Sequence, residues 1–305
     1  MLKTYKTVDG VTAADGQVTD GCWINAVNPS EAEIERLKTE AGVDADFLRA
    51  ALDEEETSRI ESEDGRTLII FDIPFVEKDE NSVSYTTIPL GIILTEKLIV
   101  TVCLKENSVV AEFEQGLLKV QTHLRTRFVL HILLKMSARF LQYLKQIDKI
   151  SNSIEKQLHG SLRNKELIQL LDLEKSLVYF STSLKANEIT LEKILRGRII
   201  RLYEEDQDLL EDVIIEVKQA IEMSNIYSSI LSGTMDAFAS VISNNLNIVM
   251  KVLTSITIVM AIPTIVFSFY GMNTTLPVPI FWVPLLISAA AMAVTGFVLY
   301  KKQLF

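Results

Sequence analysis

The stretch 247-NIVMKVLTSITIVMAIPTIVFSFYGMN-273 decides how the chain is read. From Ile248 to Tyr270 its one charged residue is Lys251. Roughly 20 predominantly apolar residues are enough for a helix to cross the hydrocarbon core of a bilayer, so this segment reads as a membrane span. Its polar residues are ordered: Asn247, Thr254, Thr257, Thr264 and Ser268, with Met250 and Ala261 between them, recur at alternating intervals of three and four. At about 100° per residue all of these fall on one side of a helix. Such a stripe is either a seam for close helix packing, where small and hydroxyl residues let backbones approach, or the wall of a wet path, where polar groups are tolerated at membrane depth. Periodicity alone leaves both open.

The span closes in Tyr270-Gly271-Met272-Asn273. Gly271 is able to take the left-handed conformation that ends a helix without a Cβ penalty. A second apolar stretch, Ile280 to Tyr300, follows a short loop and carries no polar stripe. Trp282 near one end, and Tyr300 with Lys301 and Lys302 at the other, suit interfacial positions.

A Tyr-Gly-Met-Asn signature at the end of the first of two C-terminal spans resembles the CorA-type magnesium transport family. That resemblance implies a homopentameric channel in the bilayer that passes Mg2+, with Co2+ and Ni2+ as further ions. Gly271, Met272 and Asn273 would form its selectivity filter. It also implies that Asn247 forms an inner polar ring, that Met250 and Leu253 form a hydrophobic constriction, and that Thr257, Ala261, Thr264 and Ser268 line the conduit. Helical spacing independently puts all of these except Leu253 on or beside the stripe, and Leu253 at its edge.

The chemistry is coherent, because Mg2+ sheds water reluctantly. A ring of neutral Asn carbonyls would accept hydrogen bonds from the hydrated ion and still release it. The outer loop, TTLPVPIFW, lacks an acid where many relatives have a carboxylate. A zinc or other transition-metal transporter of similar build, and a membrane-tethered oligomeric scaffold, are the competing readings.

Residues 247–305 hold three of the 30 basic groups and none of the 40 acids, leaving 27 against 40 in residues 1–246. That acidic part has no electrostatic reason to seek nucleic acid or anionic lipid. Cys22 and Cys103 are too few for a disulfide framework, and His123, His131 and His159 show no metal-ligand spacing. No Gly-rich phosphate loop, nucleophile elbow or ATP motif occurs. The expectation is therefore passive transport without catalytic residues. MLKTYKTVDG lacks a secretory apolar core. Lysines follow the second span while the loop has none, which puts both termini in the cytoplasm and residues 273–279 outside the plasma membrane.

The expected fold is an α+β membrane protein. Residues 1–115 form a cytoplasmic α/β domain, 116–201 an antiparallel hairpin of long helices, and 202–246 a stalk helix. Then come a pore-lining span at 247–270, a loop at 271–279, a second span at 280–300 and a basic tail at 301–305. Strand character appears at 21–27, 66–76, 83–95 and 97–104, a capping box at Ser30 and Glu33, and a turn at Glu63-Asp64-Gly65. Apolar residues at three-and-four spacing mark helices over 123–158 and 164–196. A third helix runs from near Tyr203 through Tyr270, roughly 100 Å at 1.5 Å per residue, with Pro263 as a mild kink. Its acids Glu204, Asp208, Asp212 and Glu216 stand four apart, where like charges repel and want a cation. The resemblance implies that Asp212, with Asp208 beside it, helps bind a regulatory Mg2+ between subunits, partnered by Glu63 or Asp64. Filled sites would hold the pore shut.

Overall fold

Local signals become geometry at both ends of the first helix. Ser30 accepts from the Glu33 amide while the Glu33 carboxylate accepts from the Ser30 amide, a complete capping box that starts α1 (Glu31–Ala41), and Gly42 closes it at φ 64°. Asp64 and Gly65, at φ 47° and 77°, form the two-residue turn between β4 (Arg59–Glu63) and β5 (Arg66–Lys78). Positive φ at both central positions matches the right-handed twist of the flanking strands.

The computed structural model describes residues 1–8, 11–15, 17–78, 83–160, 164–197, 199, 200, 202–272, 280 and 282–302. The remaining strands are β1 (Leu2–Val8), β2 (Val11–Ala14), β3 (Trp23–Val27), β6 (Val83–Leu94) and β7 (Ile99–Cys103). They form one seven-stranded sheet in the order β2-β1-β3-β7-β6-β5-β4, parallel only where β3 meets β7. The sheet is larger than the sequence suggested. β1 and β2 form a hairpin at one margin, and β4, reading RIESE, is a polar edge strand at the other.

Period-two alternation divides the core between two layers. Ile24, Leu68, Ile70, Ile93, Val100 and Val102 point toward α1 and α2 (Ala45–Ala50), where Ile34, Leu37, Phe47 and Leu48 meet them. Gly91 lets these layers close: an added Cβ would lie 2.3 Å from that of Ala51. On the other face Trp23 stacks on Tyr5 at 4.9 Å and meets Phe128 at 5.1 Å, with Phe113 of α3 (Ser108–Glu114) against both Trp23 and Phe128. Burying each large apolar side chain contributes about 1.5–3 kcal/mol.

Helices α4 (Arg125–Gly160) and α5 (Asn164–Gly197) cover that second face. Met136 of α4 meets Asn187 of α5, and Phe140 meets Phe180 at 5.1 Å, so the two run antiparallel. Asn187 is fully buried and bonds to the backbone of β5, its Nδ2 donating to the Asp72 carbonyl at 2.8 Å and its Oδ1 accepting from the Asp72 amide at 3.0 Å. Ser58 also donates to Oδ1, at 2.5 Å. These bonds form because β4 pairs with β5 only as far as Ile70. The Asp72 amide and carbonyl both point to the β4 side, so β6 on the other side does not reach them.

Two compact units divide the chain at Gly233. In Met1–Gly233 the first part of α6 (Glu204–Tyr270) runs antiparallel along α5, with Lys218 beside Glu188 at 3.7 Å, Asn225 beside Ser181 at 3.3 Å, and Ser232 donating to Glu174 at 2.6 Å. In Thr234–Phe305 are the rest of α6 and α7 (Trp282–Lys301), each long and apolar enough to cross a membrane. The helix continues through Pro263, whose missing amide leaves the Val259 carbonyl without its usual donor.

Candidate functional site

The face of α6 opposite the polar stripe carries its buried positions in the second unit. Within Thr234–Phe305, Ser255 is 2% exposed, and Val252, Val259, Ile262 and Val266 are half-buried. On α7, Pro284, Ser288 and Leu299 are buried, with Ser288 at 2%. Small buried residues let helix backbones approach closely, and Ser255 and Ser288 are of that kind.

The polar stripe lies elsewhere. Asn247, Thr254, Thr257, Ala261, Thr264 and Ser268 are all exposed, as are Met250 at 52% and Leu253 at 56%. Ser255 and Thr257 are two residues apart and so about 200° apart around the helix. The buried and half-buried positions of α6 in this unit therefore lie on the side of the helix opposite the stripe. One stripe hydroxyl is satisfied within its own helix: Thr257 Oγ1 donates to the Leu253 carbonyl at 2.8 Å.

At the end of α6 the structure corrects the expected turn. Gly271 is not left-handed. Its amide donates to the Phe267 carbonyl at 2.9 Å and to Ser268 at 3.3 Å, so the right-handed turn simply runs on. A Cβ at this position would sit 3.3 Å from the Phe267 oxygen, so small size matters here instead of a special φ. Met272 is exposed. Asn273, and with it the loop to Pro279, lies outside the described residues.

The acids assigned to regulation fall in two places. Asp208 and Asp212 face a groove of about 490 Å3 in the first unit, shared with Lys119, Arg127, His131 and Glu205. Arg127 pairs with Glu205 and, at 3.5 Å, with Asp206, which is 4% exposed and accepts from the Tyr203 amide at 3.2 Å. A carboxylate there also suits the positive N-terminal end of α6. Burial, and then the Arg127 charge, holds the His131 imidazole below its ordinary pKa, against a smaller opposing pull from Asp206. Glu63 and Asp64 stand exposed at the β4–β5 turn, outside this groove. Among the described residues of one chain, no three His, Cys, Asp or Glu side chains are gathered to hold a metal. Sequence reasoning saw the acidic row on α6 but not its basic wall, since Lys119, Arg127 and His131 come from a distant segment with no spacing in common with it.

The family model for CorA-like Mg2+ transporter proteins matches residues 19–301. A cobalt/magnesium transport protein, CorA, of Methanocaldococcus jannaschii is 28% identical over 260 residues, covering 82% of this chain and 79% of that protein. The complete structure of the CorA magnesium transporter from the same organism superposes with a TM-score of 0.83 at 24% identity, covering 99% of this chain and 96% of that one. The full-length CmaX protein shares the fold at a TM-score of 0.71 and 15% identity, covering 99% of this chain and 96% of that one.

Proposed function

This chain belongs to the CorA-like Mg2+ transporter protein family, and from that premise we propose that five copies form a channel for hydrated Mg2+, with the stripe on α6 as its wall. The single observation that carries this reading is that every stripe residue from Asn247 to Ser268 is exposed while the opposite face of α6 is the one buried. A hydroxyl and amide edge left open in lipid would be costly, because the bilayer core offers no water to it. Arranged around a common axis, the same edges face a wet lumen.

In this reading Asn273 rings the outer mouth, with Gly271 and Met272 completing the filter. Asn247 rings the inner end, and Met250 and Leu253 narrow the path beyond it. Ala261 leaves room where the ion's water shell passes. Thr257, Thr264 and Ser268 accept hydrogen bonds from that shell, so the ion moves without the dehydration that Mg2+ resists. Flow is passive, driven by concentration and membrane potential. The relative's name supports Co2+ as a second ion. The membrane is the plasma membrane, with both termini in the cytoplasm.

Regulation in this reading comes from Mg2+ held between copies by Asp212 and Asp208 of one chain and Glu63 or Asp64 of the next. Occupied sites lock neighbouring chains and close the path, and emptied sites release them.

The test is flux into liposomes loaded with a Mg2+-sensitive dye. Asn273→Ala is expected to lower Mg2+ entry at least about tenfold, equivalent to about 1.4 kcal/mol of lost stabilisation in the rate-limiting step. Unchanged entry would remove Asn273 from the filter and favour a scaffold. Parallel assays with Zn2+ separate the magnesium reading from a zinc transporter.

A further inference from the structure

Within Met1–Gly233 the outward faces of α5 and α6 carry opposite charges on otherwise apolar surfaces. On α5, Ile168, Leu171, Val178, Tyr179 and Ile189 are exposed on the side turned away from the sheet. Exposed Lys175, Lys185 and Lys193 are interleaved with them, all within an arc of about 120°. The nearest acids, Asp172, Glu174 and Glu192, stand at the margins of this stripe; Asp172 pairs with Lys175 at 3.8 Å and Glu174 accepts from Ser232 at 2.6 Å. On α6 the exposed stripe is Ile215, Ile226 and Ile230 with Asp208, Glu211, Asp212 and Glu222. Lys218 at its edge is already engaged by Glu188.

The register of the two helices adds a second, independent constraint. Glu188, Ser181 and Glu174 of α5 lie level with Lys218, Asn225 and Ser232 of α6 in the same chain. A cyclic axis running along this helix pair carries each copy around without moving it lengthwise. Residues therefore keep their level, and an α5 residue meets the α6 residue of the next copy at its own height. Level matching sets Lys185 opposite Glu222, and Lys193 opposite Glu211. It also sets Ile189 opposite Ile215 and Tyr179 opposite Ile226. Four of the five level pairs are thus opposite in charge or apolar on both sides, which neither stripe's composition guarantees; the fifth sets Lys175, already engaged by Asp172 of its own chain, level with Ile230.

We propose that the lysine-bearing face of α5 docks on the acidic face of α6 in a second copy of this chain, closing the ring through a heterologous contact. The proposal rests on the ring assembly set out under Proposed function. Apolar residues supply the buried area, and the complementary charges fix orientation and register.

The experiment uses two differently tagged full-length chains co-expressed in one membrane, one carrying Lys185→Cys and the other Glu222→Cys. The native Cys22 and Cys103 are buried and should stay silent under mild oxidation. The expected result is a disulfide-linked dimer containing both tags, with neither variant linking to itself. A Lys185→Cys chain that links only to its own kind would mean a two-fold face and overturn the proposal. If the mixed pair fails while Ser268→Cys chains link across the pore, the ring stands and this contact is wrong. If Ser268→Cys is also silent and the purified protein has a monomer's mass, the ring reading itself falls. In parallel, Lys185→Glu is expected to cut the oligomer fraction at least threefold in detergent, and adding Glu222→Lys in the same chain to restore it. No restoration would count against the charge pairing.

Discussion

The helix α6 behaves as two different objects on either side of Gly233. Before it, Leu210, Val213, Val217, Ala220 and Leu231 are buried and the charges face out, the ordinary solution for a helix in water. After it, Ile248, Val249, Ile256, Ile258 and Ile265 are exposed, and the buried positions include a serine. The inversion teaches which residues to regard as anomalous. In the first part an exposed isoleucine asks for a partner, whereas in the second an exposed hydroxyl does.

That contrast breaks most severely if stripe hydroxyls are inert. Thr264→Leu combined with Ser268→Leu is expected to lower Mg2+ flux about tenfold, or about 1.4 kcal/mol, while Ile256→Leu, exposed on a face about 130° around the helix from the middle of the stripe, changes it less than twofold. Equal effects from the two faces would erase the distinction between them.

In the water-facing part the large effects should be on stability. Asn187→Ala removes a buried donor and acceptor that hold α5 to the Asp72 backbone. It is expected to destabilise the first unit by about 3 kcal/mol, near the upper end for leaving buried polar groups unmet. A shift in its denaturant midpoint, with flux in the surviving protein unchanged, would check this.

Asp212→Ala tests the proposed regulation. The internal Mg2+ needed for half-inhibition is expected to rise about fivefold, or about 1 kcal/mol. The same inhibition curve as the parent would remove Asp212 from the control site.

The smallest effect concerns Asp72, whose carboxyl is raised above its ordinary pKa by burial, partly offset by a bond from Ser183. A raised carboxyl means the folded state holds its proton longer than the unfolded one, so stability falls as pH climbs from the ordinary carboxylate range through the raised value. Asp72→Asn should therefore gain on the parent as pH rises through that window, read as a widening gap in thermal midpoint. A constant gap would show that the carboxyl titrates normally.

Much of this architecture is legible in the sequence because its signals are local. The capping box at Ser30, the Asp64-Gly65 turn, the long helical periodicities and the apolar spans each declare themselves within one or two turns of chain. β1 and β2 are not announced this way, since their margin position leaves polar residues on both faces, and β4 reads RIESE because it is an edge. The site divides along the same line. The stripe from Asn247 to Ser268 is periodic and was readable. The basic wall beside Asp212 is built from segments far apart in sequence and was not. Gly271 misled for another reason, since glycine permits a left-handed turn without requiring one.

The Asn187 amide holds a further implication. By presenting one donor and one acceptor to the Asp72 backbone, it imitates a short piece of neighbouring strand where β4 has ended. An unfilled strand margin there would be a template for joining another molecule edge to edge. Asn187 acts as a stopper at that position, so its loss should appear first as clumping of newly made chains during biogenesis, before any defect in ion passage.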